Sequence, residues 1–384
     1  MIRPGARVGV LMSGGVDSSV AALLLRDQGY DVVGVTLQLW DYENAASRPH
    51  GERGCCDISH QMDARYVCAR IGIPHVVLDL RDDFTKNVVQ PYENAYLSGV
   101  TPNPCVACNS MLKWGAVLTK AGALEVDAIA TGHYARVEHT SEGPILRKGL
   151  DPSKDQSYAL WQVPREAIAK TLFPLGEWTK ENIRKRAAEM EFRNADKPDS
   201  QEVCFIPSRY DEYLREQYPE RTSKIGDGEI VDESGRVVGH HNGFFGFTIG
   251  QRRGLDISDG HGPYYVTGID AEHNRVVIGG SEGLSSEGLL ATAVNWSSFD
   301  APVEPTECTV KVRYNDPDGT PATILPVRED GRVEIHFHKP VRAVTPGQSA
   351  VWYRGDILWG GGIISRAVRN IQREEKHSLQ EAVR

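Results

Sequence analysis

The sequence predicts an α/β N-terminal domain with a doubly wound parallel sheet, followed by two small, mainly β domains, the last barrel-like. Three observations lead there. Up to about residue 205, short apolar runs alternate with helical patterns, as in a parallel sheet covered by helices on both faces. A Gly-rich turn, Ser13-Gly14-Gly15-Val16-Asp17-Ser18-Ser19, falls between the first strand and the first helix. Beyond about residue 225 the chain changes to short β-rich runs punctuated by Gly, Asp-Gly and Pro.

Val8–Met12 reads as a buried strand, Ser18–Gln28 as a helix and Val32–Leu37 as a second strand. The stretch 57–70 is helical, with Ile58, Met62, Val67 and Cys68 as its apolar positions, and His75–Asp79 and Asp127–Thr131 are further strands. A helix is expected over Asn109–Ala121. In the second half Tyr264–Asp270, Arg275–Gly279, Cys308–Tyr314, Arg332–His338 and Ala350–Tyr353 read as strands, with turns at Asn274, Asp318-Gly319 and Asp330-Gly331. The expected division is 1–212, 213–285 and 286–365, followed by a polar tail over 366–384 with no apolar face.

The 384 residues carry 43 Lys and Arg against 52 Asp and Glu, a formal charge of −9. That balance argues against a protein that coats nucleic acid non-specifically, because such binding comes from neutralising phosphates. No run reaches the ~18 consecutive apolar residues of a membrane helix, and the N-terminus lacks a signal-peptide pattern. A cytoplasmic, monomeric enzyme with no membrane partner is expected. Seven cysteines at this length do not make a secreted disulfide framework.

The turn at Ser13 is built for phosphate. Two glycines let backbone N–H groups converge without Cβ obstruction, and the helix behind adds its partial positive charge. Asp17 or Ser18 is a candidate cap, and the hydroxyls of Ser13, Ser18 and Ser19 are candidate phosphate donors. No Gly-Lys-[Ser/Thr] follows, so this is not a Walker A loop, nor is it G-x-G-x-x-G. Two glycines alone would favour an ordinary capped turn; the full Ser13–Ser19 run between a strand and a helix favours phosphate.

Thr101-Pro102-Asn103-Pro104-Cys105-Val106-Ala107-Cys108-Asn109 is a Pro-rich turn ending where a helix is expected. A thiol there has its thiolate stabilised and is a candidate nucleophile. Cys204, in Asp199-Ser200-Gln201-Glu202-Val203-Cys204-Phe205-Ile206, is a second. Cys105 and Cys108 also have C-x-x-C spacing, but no second close pair completes a zinc site.

Six motifs occur in order: S-G-G-V-D-S-S; T-P-N-P-x-x-x-C-N with Lys113; A-T-G-H-Y-A-R at Ala130–Arg136; K-D-Q-S-Y at Lys154–Tyr158; D-S-Q-E-V-C-F-I; and T-I-G-Q-R-R-G-L at Thr248–Leu255. In these the chain resembles the bacterial tRNA-specific 2-thiouridylase family of the ATP-pyrophosphatase superfamily, over about residues 5–365. The resemblance implies ATP with Mg²⁺ on the loop, at Leu11, Met12, Ser13, Gly14, Gly15, Val16, Asp17 and Ser18, with Leu37 at the adenine and Gly132 touching the nucleotide. It implies attack of a wobble uridine O2 on the α phosphorus, a persulfide on Cys204 supplied by a cysteine desulfurase or persulfide carrier, and Cys108 as the thiol that attacks it. It places the target base and tRNA anticodon loop at Asn103, Pro104, Cys105, Lys154, Asp155, Gln156, Arg313 and Tyr314. Gln251, Arg252 and Arg253 follow an aromatic, Gly-rich hairpin with Phe244, Phe245 and Phe247; a surface turn would read the same way, and the charge and flanking aromatics favour an RNA contact. Extrusion of the uridine into a pocket follows from chemistry on a base.

One departure stands out. Many relatives carry Asp where this chain has Cys105, and the three thiols Cys105, Cys108 and Cys204 then resemble the three-thiolate 4Fe–4S site of other RNA thiolases. Persulfide relay and cluster chemistry are both expectations here, and an amide-forming ATP pyrophosphatase and a non-enzymatic RNA-binding module are rivals. Cys55-Cys56 reads as packing or loop anchoring. The acids leave three windows: 94–124, 234–255 and 308–315 contain no Asp or Glu and carry Lys113, Lys120, Arg236, Arg252, Arg253, Lys311 and Arg313. Those gaps trace a path for one folded RNA.

Overall fold

A computed structural model describes residues 2–40, 58–198, 203–206, 209–257 and 262–371. Strands β1 (Arg7–Leu11), β2 (Asp31–Gln38), β3 (His75–Asp79) and β4 (Ala128–Thr131) precede a hairpin, β5 (Ala135–Thr140) and β6 (Gly143–Lys148), and a short β7 (Thr171–Leu172). The sheet order is β3-β2-β1-β4-β7, all parallel. Order reverses between β1 and β4, which opens a crevice at their carboxyl ends.

The two faces separate by strand alternation. Val8, Val10, Val32, Ala128 and Ala130 pack with helices α1 (Val16–Asp27) and α2 (Ile58–Ile71). Leu11, Val33, Val35 and Ile129 pack on the opposite side with the helical stretches 81–96, here α3, and 104–124, here α4. On α2 the buried face is His60, Ala64, Val67, Cys68 and Ile71. Ile58 and Met62, expected to share it, point outward instead at 49% and 56% exposure.

Strands β8 (Gly228–Asp232), β9 (Val237–His241), β10 (Tyr265–Asp270) and β11 (Arg275–Gly279) form a four-stranded sheet, order β10-β11-β8-β9. Strands β12 (Ser285–Trp296), β13 (Thr306–Lys311), β14 (Thr320–Ile324), β15 (Val333–Arg342), β16 (Ser349–Arg354) and β17 (Ile357–Val368) close a six-stranded barrel through the β12–β17 pair. Strand β17 continues past residue 366: Arg366, Ala367 and Val368 pair with Leu290, Leu289 and Gly288, and Val368 is fully buried. Residues 372–384 of the expected tail lie outside the described residues, as does Cys55-Cys56.

The barrel is fused to the N-terminal half. Ile357 pairs with Arg147 of β6, Asp356 takes ion pairs from Arg136 and Arg147, and Trp161 Nε1 donates to Ser349 Oγ at 2.9 Å. A Cβ on Gly361 would lie 2.5 Å from the Trp161 ring, so only glycine lets that indole reach the barrel wall.

Candidate functional site

The loop Ser13–Gly15 leaves the carboxyl end of β1 at the sheet's reversal point, between Leu11 and Met12 on one side and Val16 of α1 on the other. Gly14 has φ +73°, and a Cβ there would sit 2.2 Å from the His60 carbonyl oxygen, so the position requires glycine twice over. The N–H groups of Val16, Asp17 and Ser18 precede the first intrahelical bond of α1 and face the crevice end of the sheet. Gly15 is the cap, with no side-chain cap bond. The expected capping by Asp17 or Ser18 is therefore replaced. Ser18 and Ser19 turn their hydroxyls back onto the Gly15 carbonyl at 3.1 and 2.9 Å. Both serines are buried, which leaves Ser13 as the exposed hydroxyl of the loop.

Three residues that sequence reasoning missed hold this loop. Lys180 Nζ lies 2.8 and 2.7 Å from the two Asp17 oxygens, and Tyr134 donates to Asp17 at 2.8 Å. Asn194 Nδ2 donates to the Gly14 carbonyl at 3.0 Å and to Ser19 Oγ at 2.9 Å. Lys180 and Asn194 sit some 160 to 180 residues from the loop and carry no local motif of their own. Tyr134 was in view within A-T-G-H-Y-A-R, but without a role.

Gly132 ends β4 against this loop: a Cβ would meet Ser18 N at 2.7 Å. Next to it, His133 bonds through Nδ1 to Thr131 Oγ1 at 2.7 Å and packs 5.8 Å from the Trp114 ring and 6.4 Å from the Phe173 ring. Burial and then the Lys113 ammonium hold its pKa well below the usual histidine value. The Gly132-His133 corner thus touches the first turn of α1 behind the Ser13–Gly15 loop on one side and the cysteine helix on the other. Leu37 stands near the carboxyl end of β2, beside Leu78 of β3, half-buried.

The helix carrying the cysteines starts earlier than expected, at Pro104, with Asn103 as its cap: Asn103 Oδ1 accepts from Cys105 N at 3.2 Å. Proline suits the first helical position because it lacks the N–H that would go unbonded. Cys105 is exposed in the first turn, and Cys108 opens a π-helical segment, Cys108–Ala116. Cys108 and Cys204 are both half-buried against the same apolar cluster. Among the described residues no three Cys, His, Asp or Glu side chains converge to hold a metal. Cys105, Cys108 and Cys204, the three thiols of the iron–sulfur expectation, form no such group. Asp199, Ser200, Gln201 and Glu202 of the Cys204 motif lie outside the described residues.

The candidate RNA contacts divide into inward and outward groups. Asp155 accepts from Gly149 N, Ser157 N and Ser157 Oγ at 3.0–3.1 Å, and Gln156 accepts from Tyr134 N at 3.0 Å. Those two side chains therefore build the turn beneath Lys154. Gln251 likewise stays inside its loop, accepting from Thr248 N and donating to the Arg253 carbonyl. Arg252 and Arg253 are exposed. Phe244 and Phe245 of the hairpin before them are buried core. Arg313 and Tyr314 lie beyond the end of β13, not within a strand reaching residue 314, and are exposed. Gly250 and Arg313 meet, with 3.8 Å from the Gly250 Cβ position to Arg313 Nη2, and Thr248 Oγ1 bonds Thr101 Oγ1 at 3.4 Å. The three acid-free windows therefore adjoin one another in space.

Matches to known proteins coincide with this layout. The family described as tRNA methyl transferase HUP domain matches residues 6–208, its PRC-barrel domain residues 212–280, and the aminomethyltransferase beta-barrel domain residues 286–364. A protein of Heliobacterium modesticaldum named tRNA-specific 2-thiouridylase MnmA is 46% identical over 93% of this chain and 92% of its own length. Proteins of the same name from Amoebophilus asiaticus (44%, 94% of this chain and 96% of the relative) and Halothermothrix orenii (46%, 93% and 98%) are similar throughout. Among the described residues no helix is long and apolar enough to cross a membrane.

Proposed function

The chain belongs to the tRNA-specific 2-thiouridylase family, enzymes of tRNA uridine thiolation, and on that premise we propose how its own residues carry the reaction. ATP enters as substrate with Mg²⁺ on its phosphates. The N–H groups of Gly15 to Ser18 and the positive end of α1 hold the pyrophosphate portion, with Leu37 and Gly132 bounding the nucleotide. The uridine O2 attacks the α phosphorus, pyrophosphate leaves, and the oxygen becomes a good leaving group.

Sulfur arrives as a persulfide on Cys204 from a cysteine desulfurase or persulfide carrier. The Cys108 thiolate attacks the inner sulfur, a Cys108–Cys204 disulfide forms and hydrosulfide departs. Hydrosulfide adds at C2 and AMP is expelled; an external thiol then reduces the disulfide. The step uses the Cys108 thiolate as its nucleophile, since a thiolate and not a thiol attacks sulfur. Arg252, Arg253, Arg313 and Lys154 take RNA phosphates, and Tyr314 stacks on a base. We assign the chemistry to 1–212 and RNA positioning to 213–285 and 286–365, in a cytoplasmic monomer.

The observation that carries this reading is the Gly132-His133 corner, which abuts Ser18 of the phosphate loop and Trp114 of the cysteine helix at once. An amide-forming synthetase would need the first neighbour but not the second. Incubation of unmodified tRNA with enzyme, ATP and a persulfide source, followed by nucleoside mass spectrometry, tests it. The expected product is 2-thiouridine, dependent on ATP. Cys108→Ser and Cys204→Ser each abolish it with tRNA binding intact, while Cys105→Ser retains it. Product without ATP, or none at all, overturns the reading.

A further inference from the structure

The proline-rich segment before the cysteine helix is held from the barrel. Gln348 Nε2 donates to the Thr101 carbonyl at 3.0 Å and to the Pro102 carbonyl at 3.2 Å. Thr101 N donates in turn to the Pro346 carbonyl at 3.2 Å. Between these bonds, Gly347 has φ +90°, and a Cβ there would fall 2.3 Å from Val100 Cγ1 and 2.7 Å from the Thr101 oxygen. The barrel loop 343–348 and residues 100–102 are thus in backbone contact, and only glycine permits the approach. Pro102 and Pro104 stiffen the entry to the helix, and Asn103 caps it at Cys105.

The loop's other end is held by the exposed Arg313. Arg313 Nη2 donates to the carbonyls of Arg342 and Ala343 at 3.2 and 3.1 Å. Ala343 has φ +51°, unusual for alanine, and its carbonyl also accepts from Thr345 Oγ1 at 3.0 Å. Gln348 is anchored behind by Ile364 N on its carbonyl at 2.8 Å. One short loop therefore has Arg313 at its start and Gln348 at its end. Arg313 keeps further N–H donors beyond Nη2 for a phosphate.

We infer that Gln348 is a positioning residue: it transmits the seating of RNA on the barrel, through loop 343–348, to the segment that aims Cys108. This rests on the 2-thiouridylase reading above. Adenylation uses the phosphate loop, which Gln348 does not touch, whereas sulfur transfer uses the helix whose entry Gln348 holds. Loss of the two donors should therefore separate the two steps.

The test uses the full-length Gln348→Met variant, which keeps the side-chain volume and removes both donors. Substrates are an unmodified tRNA transcript with a wobble uridine, ATP, cysteine and a cysteine desulfurase. Expected are pyrophosphate release within roughly twofold of the native rate, accumulation of adenylated tRNA, and 2-thiouridine formation lower by roughly tenfold to a hundredfold, the cost of misplacing a reacting group. Gln348→Glu, which sets an oxygen against the two carbonyls, should show the same split and guards against a folding defect of the first variant. Addition of tRNA to native enzyme should change the rate of iodoacetamide attachment to Cys108 by roughly fivefold, and that response should vanish in both variants. A parallel fall in both chemical steps, or native rates in both, overturns the inference, as does an unchanged Cys108 response. Native enzyme that makes no 2-thiouridine overturns the functional reading instead, and the Cys108 response then still decides the coupling.

Discussion

Lys180 lays its ammonium across the carboxylate of Asp17, 2.8 and 2.7 Å from the two oxygens, in the first turn of the helix behind the Ser13–Gly15 loop. A carboxylate there complements the helix dipole but opposes an incoming triphosphate. Lys180, with 11% of its side chain exposed, offsets that charge on the protein side.

Lys180→Met should accordingly weaken ATP binding by roughly tenfold to a hundredfold, equivalent to about 1–3 kcal/mol for a partly buried charge left unpaired. Calorimetric titration of ATP checks it. The Asp17→Asn, Lys180→Met double variant should recover most of the loss. A double variant as weak as Lys180→Met alone would show that charge compensation is not what Lys180 provides.

Gly132 makes a steric prediction. Its φ is not in the left-handed region, so alanine fits its own backbone, but the added methyl would press on Ser18 N at 2.7 Å and the Asp17 carbonyl carbon at 2.8 Å. Neither is a flexible side chain. Gly132→Ala should hold its melting temperature within a few degrees and lose ATP affinity by more than roughly tenfold. Equal loss of stability and affinity would place the clash in the core instead of at the nucleotide.

The sheet was legible because each of its first four strands is a short apolar run and the loop joining β1 to α1 has a fixed composition. The cysteine helix was misplaced by five residues because Pro102 and Pro104 read as a break, when the second of them occupies a first helical position. Lys180 and Asn194 were invisible for a different reason. Each completes a charge or a carbonyl that only folding brings within reach, and a lysine in K-E-N-I-R-K is indistinguishable in sequence from its solvated neighbours. The fusion of the barrel to β6 through a single backbone pair, Ile357 with Arg147, left no periodic trace either. Phe244 and Phe245 go the other way: aromatic, Gly-rich texture near two arginines suits an RNA contact, but both rings are buried in the apolar core.

Histidines set the acid limit of the fold. Burial lowers the pKa of His75, His133, His139 and His241, the first by desolvation ahead of Arg65 and His133 by desolvation ahead of Lys113. The unfolded chain takes up those protons near pH 6.5 and the native state does not. Stability is therefore complete above that value and falls as the pH drops below it, by at most about 1.4 kcal/mol per pH unit for each group. Asp79 and Asp232, held down to about 2, add their loss only below the ordinary carboxylate range. Melting temperatures between pH 7.5 and 5 should decline, and His133→Gln should flatten the slope. An unchanged slope in that variant would mean His133 is protonated in the native state.

Thiol reactivity should follow burial. Cys68 and Cys308 are buried, and burial pushes both thiols up to about 12. Cys105 is exposed at a helix start. Brief iodoacetamide treatment at pH 7.5, with the sites located by peptide mass spectrometry, should modify Cys105 at least roughly tenfold faster than Cys68 or Cys308, since only the thiolate reacts. Comparable rates in the folded protein would contradict the packing of α2 and β13.

Arg252 and Arg253 should act through charge, and Gln251 through shape. The two guanidinium groups are exposed, while Gln251 ties Thr248 N to the Arg253 carbonyl within one loop. Replacing either arginine by serine should weaken tRNA binding and lower the slope of log K against log salt by about 1, because one fewer phosphate is neutralised. Gln251→Ala should weaken binding with the slope nearly unchanged, because the loop loses its order but keeps its charges. Binding titrations at several salt concentrations separate the two cases. A slope that falls equally in all three variants would make the loop one electrostatic unit, and an unaltered slope in both arginine variants would remove these residues from the RNA interface.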